Sequence, residues 1–364
     1  MPAPLVPNTM RAVLWKGYGG YDQLEFREDV PVPRPQAGHV LVRIGAAGVN
    51  NTDINTRIGW YSRAVSDGTS VEGAAQGFLS ACAADSGWTG TQHQFPRIQG
   101  ADGCGRIVAV GDGVAKSRIG ERVLIEPIIR LEGLEPTRIL YFGSECNGSF
   151  AEYASVPSVN AHEISSDLSD AELATFPCAY SAAEHMLERT QVKAAEDVLI
   201  TGASGGVGSA AVQLAARRGA RVIAVVGGAK AAAIAALGAS RVIDRGADVK
   251  ALLGEQSIDA VIDVVGGPEF GRLLDILKRG GRYAAAGAIA GPIVALDLRT
   301  LYLKDLQMQG CTVFEPVVFR NLIGYIERGE IRPMVAKEYP LSAIAAAQQE
   351  FTTKQHVGKI VLLP

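Results

Sequence analysis

A glycine-rich turn joins an apolar strand to a helix near the middle of the chain. Asp197–Thr201 (DVLIT) is predicted as a buried strand, and Gly206–Arg218 has the spacing of an amphipathic helix ending at Gly219. A second apolar run, Arg221–Val226, completes a strand–helix–strand unit. Glycine permits the tight turn and lets backbone N–H groups approach a pyrophosphate, whose charge the helix N-terminus stabilises. We therefore expect a dinucleotide to bind at Gly202, Ala203, Ser204, Gly205, Gly206, Val207 and Gly208.

The same alternation of strand and helix continues beyond this unit. A short helix is predicted over Lys230–Leu237 and a further helix from Pro268. The strands between and after them are predicted at Arg241–Asp244, Ile258–Val265 and Tyr283–Gly287. Continuous apolar strands that alternate with helices are typical of a parallel sheet covered on both faces. Residues 161–312 are thus predicted to form an α/β domain with a Rossmann-type, doubly wound parallel sheet.

The two ends of the chain show a different pattern. Residues 1–160 contain short apolar runs separated by proline and glycine, which favours a mostly antiparallel, barrel-like β domain. Lys359–Leu363 (KIVLL) is a strand with no domain of its own nearby. We expect it to return to the first domain, which would then comprise residues 1–160 and 313–364.

Composition excludes several other classes of protein. The formal charge of −3 provides no field for a nucleic acid, and no apolar run approaches the length that spans a bilayer. Met1–Met10 lacks the pattern of a secretory signal, and the five cysteines are scattered. These features predict a cytoplasmic protein that acts on a small molecule, without a disulfide framework or a structural zinc knuckle.

The end of the second strand bears on the choice of cofactor. An NAD site usually has an acidic residue there for the ribose 2′-OH, whereas this chain has Val226-Gly227-Gly228. Lys230 stands in the first turn of the predicted next helix, where the helix dipole disfavours a cation, and Arg245 follows the third strand. Unless both are merely solvated cations, they are suited to a 2′-phosphate, so we expect NADP(H) rather than NAD(H).

Residues 61–95 form an unusually long stretch without a regular pattern. It contains five glycines, and Phe78 and Trp88 are expected to anchor it. Long loops in compact domains are often functional. We expect either a surface excursion or a wall of a substrate pocket.

Several motifs together resemble the medium-chain dehydrogenase/reductase superfamily, in its zinc-independent quinone oxidoreductase branch. They are Gly48-Val49-Asn50 with Asp53 and Arg57, Gly100–Gly105 (GADGCG), Gly202–Gly208, Val265-Gly266-Gly267 and Val357–Val361 (VGKIV). The resemblance covers nearly the whole chain apart from residues 61–95. It implies a GroES-like barrel domain, a cofactor site that includes Val265 and Gly266, and a homodimer.

The resemblance also bears on zinc. Zinc-dependent members place a metal-binding cysteine about where Asn50 stands, and a His-Glu pair about where Ala101-Asp102 stands. Zinc prefers cysteine and histidine ligands, so no metal site is expected here. Without a Lewis acid, a quinone or an α,β-unsaturated carbonyl is an easier hydride acceptor than a simple ketone, because conjugation spreads the charge. The expected activity is hydride transfer from NADPH to such an acceptor.

Asn50 and Asp53 are the predicted catalytic residues. The Asn50 amide is expected to donate to the acceptor carbonyl or to hold the nicotinamide ribose, unless it serves only a turn. Asp53 is expected to orient Asn50 or join a proton relay, unless it caps a helix or pairs with Arg57. Many members of the branch carry a tyrosine where this chain has Asn55, so Tyr61 and Tyr180 are considered as substitutes.

Three other functions remain open at this stage. The first is an NADPH-dependent enoyl-thioester reductase, and the second is an alcohol dehydrogenase that holds its metal in an unfamiliar way. The third is a nucleotide-binding protein without catalytic turnover, because cofactor binding and catalysis need different residues.

Overall fold

The apolar runs of the sequence form two main sheets in the computed structural model, which describes residues 6–131 and 138–364. The strands are β1 (Thr9–Trp15), β2 (Leu24–Pro31), β3 (His39–Gly48), β4 (Cys104–Val110), β5 (Arg122–Ile125), β6 (Ile128–Arg130), β7 (Ile139–Tyr141), β8 (Tyr153–Pro157), β9 (Ala161–Glu163), β10 (Asp197–Ile200), β11 (Arg221–Val226), β12 (Arg241–Asp244), β13 (Ile258–Asp263), β14 (Leu277–Ala285), β15 (Gln307–Gly310), β16 (Val335–Pro340) and β17 (Lys359–Leu363). The helices are α1 (Asn51–Arg57), α2 (Val71–Gln76), α3 (Asp170–Leu173), α4 (Pro177–Arg189), α5 (Gly206–Arg217), α6 (Ala231–Ala235), α7 (Val249–Leu253), α8 (Phe270–Ile276), α9 (Leu298–Leu303), α10 (Pro316–Glu327) and α11 (Ile344–Thr353).

Strands β10–β15 form a parallel sheet in the order β12–β11–β10–β13–β14–β15. Its centre is buried on both faces, because Val198 packs into one apolar cluster and the next residue, Leu199, into another. The strand order reverses between β10 and β13, and ligands of doubly wound sheets bind at the carboxyl ends of strands at such a point. The predicted Rossmann-type sheet is confirmed.

Several element boundaries within this sheet differ from the predictions; β13 ends at Asp263 instead of Val265, and β14 spans Leu277–Ala285 instead of Tyr283–Gly287. Lys230 ends a 3-10 turn, Gly228–Lys230, so α6 begins at Ala231 instead of Lys230. Pro268 likewise lies in a 3-10 turn ahead of α8. Helix α5 ends at Arg217, one residue before the predicted Arg218, and the predicted stop at Gly219 has a left-handed φ of 79°.

The second sheet has the order β16–β17–β3–β4–β5–β9, with β8 also paired to β3. All its pairings are antiparallel except β16–β17. The C-terminal strand β17 pairs with β3 at Val361–Gly48 and Leu362–Ala47, which brings the chain end back to the first domain. The expected GroES-like, mostly antiparallel domain is therefore present.

The boundaries 1–160, 161–312 and 313–364 stay a prediction. Helix α10, which falls in the last range, buries Val318 and Phe319 in the cluster that also covers one face of the parallel sheet. Among the described residues, no helix has the length and apolar character needed to cross a membrane.

Candidate active site

The glycine turn after β10 has the space that a dinucleotide needs. Gly202 has a φ of 56°, and a Cβ on Gly208 would lie 2.2 Å from the Gly202 carbonyl oxygen, so both positions require glycine. A Cβ on Gly205 would meet only that oxygen, at 3.5 Å, which is an ordinary contact. The protein itself therefore does not require glycine at Gly205, whereas the close approach of a pyrophosphate to the N-terminus of α5 would.

The C-terminal segment crosses beneath this turn. The Gly358 N–H donates to the Ser204 carbonyl at 3.1 Å, and a Cβ on Gly206 would lie 2.9 Å from the Lys359 side-chain Cδ. Lys359 thus runs from the glycine turn towards the first domain. It links the two halves of the site.

Lys359 ends in a buried cluster with Asp102 and Asn50. Its ammonium lies 2.7 Å from Asp102 Oδ2, and the two side chains are 3% and 0% exposed. The ammonium also donates to Asn50 Oδ1, and Asn50 Nδ2 donates to Asp102 Oδ2 at 2.9 Å. Both ends of the Asn50 amide are therefore engaged, so the amide holds Asp102 and Lys359 together rather than standing free to donate to a substrate.

Asp53 fixes the backbone around Asn50. Its carboxylate accepts from the Asn50 N–H at 2.8 Å and from the Ala101 N–H at 3.1 Å, and so caps α1. Burial, with the nearby charge of Asp102, raises the pKa of Asp53 to about 7. Arg57 does not pair with it: Arg57 is fully buried and donates to the carbonyls of Gly19 and Ala74.

Two tyrosines and a cysteine lie beside this cluster. Tyr61 donates to Thr52 Oγ1 at 3.2 Å, and burial raises its pKa to about 12. The Tyr141 hydroxyl lies 3.2 Å from Cys178 Sγ, and the Cys178 N–H donates to Asp102 Oδ1 at 2.6 Å. Burial also raises the pKa of Tyr141, so both phenols are neutral donors near pH 7. The other candidate, Tyr180, is excluded because its hydroxyl donates to the Arg332 carbonyl, inside the core.

Two lysines, Lys230 and Lys354, lie near the glycine turn. The Lys230 ammonium lies 3.5 Å from Ser204 Oγ and donates to the His356 carbonyl at 2.9 Å. Lys354 donates to Asn51 Oδ1 at 2.8 Å, and burial together with the Lys230 charge lowers its pKa to about 7.

Asp244, the last residue of the third strand, places a carboxylate beside the end of the second strand, where Val226-Gly227-Gly228 has none. It pairs with Val226 across the parallel ladder, and its oxygens accept from the Gly228 and Gly246 N–H groups, both at 2.8 Å. Arg245 is exposed beside it, with Nε 3.8 Å from where a Gly227 Cβ would stand. A 2′-phosphate here would meet a carboxylate as well as two cations.

Val265 and Gly266 lie in the loop after β13, the strand that neighbours β10 where the strand order reverses. Buried Asp263 accepts from the N–H groups of both, at 2.9 Å and 3.2 Å, and from the Tyr283 hydroxyl at 2.5 Å. The fixed loop faces the glycine turn, because a Cβ on Gly202 would contact Val264 and Val265. The predicted cofactor residues after β10 and β13 thus come together in space.

Comparisons with known proteins identify this architecture. Residues 36–166 match the alcohol dehydrogenase GroES-like domain family, and residues 206–328 match the zinc-binding dehydrogenase family. A solved structure of a putative alcohol dehydrogenase from Sinorhizobium meliloti 1021 is 47% identical with a TM-score of 0.88, covering 99% of this chain and 98% of that one. The chain belongs to the medium-chain dehydrogenase/reductase superfamily. It is an oxidoreductase of a family that uses nicotinamide cofactors.

Curated relatives place this dehydrogenase/reductase in the quinone oxidoreductase-like branch. A quinone oxidoreductase from Lama guanicoe is 28% identical over 368 residues, 97% of each chain. An acryloyl-coenzyme A reductase from Metallosphaera sedula is 28% identical over 365 residues, covering 97% of this chain and 99% of the relative.

Some members of this superfamily bind a catalytic zinc, and the side chains present here show whether this site could bind one. Asn50 and Ala101 offer an amide and a methyl group, and the Lys359 ammonium is bonded to both Asn50 and Asp102. Among residues 6–131 and 138–364, no three or more His, Cys, Asp or Glu side chains are grouped so that they could hold a metal ion. The Lys359 charge would repel a second cation at these oxygens, and cysteine and histidine donors are missing from both positions, so the residues do not fit zinc.

Proposed function

We propose that this protein is an NADPH-dependent reductase that transfers hydride to a quinone or an α,β-unsaturated carbonyl without zinc. The observation that carries the proposal is the buried Lys359 ammonium bonded to Asp102 and Asn50. It supplies positive charge inside the site and leaves no vacant set of metal donors. Acceptors whose conjugation spreads the added charge suit such a site.

The choice of NADP(H) rests on the cations around the glycine turn. Lys230 and Arg245 are near enough that the Arg245 charge, after burial, helps to lower the pKa of Lys230. An anionic phosphate would relieve that repulsion and form charge-assisted hydrogen bonds. Asp244 keeps its negative charge while it accepts two backbone N–H groups and opposes this preference, but it stands against two cations.

When bound, NADPH supplies the hydride from its nicotinamide ring. Asn50 and Asp53 position the site: Asn50 aligns Asp102 and Lys359, and Asp53 fixes the Asn50 backbone. Tyr61 and Tyr141 carry neutral hydroxyls beside this cluster, and we assign them as the donors to the acceptor oxygen. Water, or a relay through these hydroxyls, supplies the proton.

A second candidate function is reduction of an enoyl thioester. The likeness to an acryloyl-coenzyme A reductase over almost the whole chain favours it. The chemistry is the same hydride addition to a conjugated carbonyl, and the two candidates differ in the need for a thioester arm.

We also propose that the protein is a homodimer. In the described part of the chain, β15 pairs only with β14 and forms an edge of the parallel sheet. The apolar side chains of Ile293, Leu298, Tyr302 and Leu303 are more than half exposed in the neighbouring segment. Pairing of two edges would cover both features, and light scattering on the purified protein measures the mass.

Oxidation of NADPH and NADH with a panel of acceptors tests the function. We expect turnover with quinones, enals or enones, faster with NADPH, and little with simple ketones. Turnover confined to enoyl thioesters would favour the second candidate. Tight NADPH binding without turnover of any acceptor would instead indicate a non-catalytic nucleotide-binding protein.

A further inference from the structure

The segment 61–95, called the insertion below, reaches the candidate active site at three points. Tyr61, its first residue, donates to Thr52 in α1. Thr69 donates through its hydroxyl to Asn55 Oδ1 at 3.2 Å and through its N–H to the Ile289 carbonyl at 2.9 Å. Trp88 stacks on Tyr141, with ring centroids 4.2 Å apart and planes inclined by 26°. The insertion therefore borders the candidate active site and does not project away from it as a surface loop.

The part of the insertion around Trp88 is firmly anchored. The Thr89 N–H and hydroxyl both donate to Glu145 Oε1, at 2.9 Å and 3.0 Å. The other oxygen of Glu145 accepts from the Tyr141 N–H at 3.1 Å, so one carboxylate holds the backbones that carry both rings. His93, further along, bonds to Ser144 at 2.9 Å. The aromatic pair is thus held in one arrangement by contacts on both sides of it.

The aromatic pair is connected through Cys178 to the buried cluster of Lys359, Asp102 and Asn50. The hydroxyl of Tyr141 touches Cys178 Sγ, and the Cys178 backbone N–H bonds to Asp102. Trp88 consequently packs behind Tyr141, and Cys178 alone separates the Tyr141 hydroxyl from Asp102 and Asn50.

The middle of the insertion, around Asp67 and Gly68, contacts the segment that adjoins the cofactor loop. The Trp60 indole N–H donates to the Asp67 carbonyl at 2.9 Å, and a Cβ on Gly68 would lie 2.5 Å from the Ile289 carbonyl oxygen. The neighbouring Ala290 N–H donates to the Val265 carbonyl at 2.9 Å, so this contact adjoins the cofactor loop. The insertion therefore contacts both the segment beside the cofactor loop and the ring of Tyr141.

We propose that Trp88 is a specificity-determining residue, which makes the site favour flat, two-ring conjugated acceptors over small open-chain enals. This inference rests on the proposed function and names its substrate class. Stacked aromatic faces attract one another beyond the area that they bury, and a rigid pair loses little entropy when a flat ligand binds against it. A short enal has no face to offer, and it gains little from such a wall.

The test compares Trp88→Ala and Trp88→Phe with Leu79→Ala, a matched control in the same insertion whose side chain is fully exposed. Assays use NADPH with a naphthoquinone and with acrolein. For Trp88→Ala we expect kcat/KM to fall about fivefold or more for the naphthoquinone and less than about twofold for acrolein. The Kd for NADPH should be unchanged, Trp88→Phe should keep most of the preference, and the control should resemble wild type.

Equal losses for both acceptors, or no loss for either, would overturn the inference. If Trp88→Ala does not fold, the same ratio measured for Trp88→Phe and Trp88→Leu decides, because only the former keeps an aromatic face. A wild-type protein that reduces neither acceptor would contradict the proposed function. Equilibrium binding of the naphthoquinone to the wild type and to the Trp88 variants would then decide separately on Trp88, and equal affinities would count against it.

Discussion

Replacement of Lys359 by methionine probes the buried cluster on which the site is built. The substitution keeps most of the stem that packs beneath Gly206 but removes the ammonium from Asp102 and Asn50. Asp102, which is 0% exposed, would then remain as a buried carboxylate with hydrogen bonds but no compensating charge. Removal of one partner of such a pair costs about 3–5 kcal/mol of the free energy of unfolding.

A double-mutant cycle separates this effect from lost packing. Asp102→Asn removes the charge that Lys359→Met leaves unpaired, so the double variant should be more stable than Lys359→Met alone. The control is Lys337→Met, because Lys337 pairs with Glu350 at the surface, where the side chains are 51% and 35% exposed. Loss of that exposed pair should cost about 0–1 kcal/mol.

Urea titrations followed by tryptophan fluorescence and by circular dichroism measure these differences. The reasoning would be refuted if Lys359→Met were no more destabilising than Lys337→Met. It would equally be refuted if the losses of the two single variants simply added in the double variant.

Three further predictions concern the cofactor side of the site and the core. Lys230→Ala should weaken NADPH binding by about 1.5–3 kcal/mol and NADH binding far less, since one charge-assisted contact to the 2′-phosphate is lost; equal effects in fluorescence titrations would remove Lys230 from that role. Lys354 has a pKa of about 7, lowered by burial, so its ammonium is lost as the pH rises above that value. Lys354 lies next to Lys230, so we expect its charge to assist phosphate binding there. NADPH affinity should then be highest below pH 7 and weaken above it, and Lys354→Met should flatten this dependence; an unchanged profile would exclude Lys354 from the cofactor site. Arg57→Met should cost more than about 2 kcal/mol of stability, because it leaves the buried carbonyl of Ala74 and the half-buried carbonyl of Gly19 without the donors that Arg57 supplies, whereas Arg63→Met at the surface should change little.

The fold was largely predictable because its signals are local. The glycine turn, the apolar run before it and the helix after it lie within a few residues of one another, and β11, β12 and β17 have the predicted bounds. The start of α6 was predicted one residue too early, because the glycine pair before Lys230 tightens into a 3-10 turn.

The site was less predictable because its contacts join distant parts of the chain. Asn50 and Asp53 were singled out and Lys359 lies in the VGKIV motif, but no local pattern indicates that Lys359 and Cys178 meet Asn50 and Asp102. Tyr141 likewise has no sequence signal that places it beside Cys178. Asp244 was within reach of sequence reasoning, because neighbouring parallel strands end in register and Asp244 is the last residue of the strand beside Val226.

Metal content and chelator sensitivity test the central claim most directly. Protein purified without added metal should be analysed for zinc, and its NADPH-dependent reduction of a quinone should be measured with and without a strong chelator. We predict zinc far below one per chain and a rate that the chelator does not change. One tightly bound zinc per chain, with activity lost to the chelator and restored by the metal, would contradict the claim that Lys359, Asp102 and Asn50 form a metal-free site.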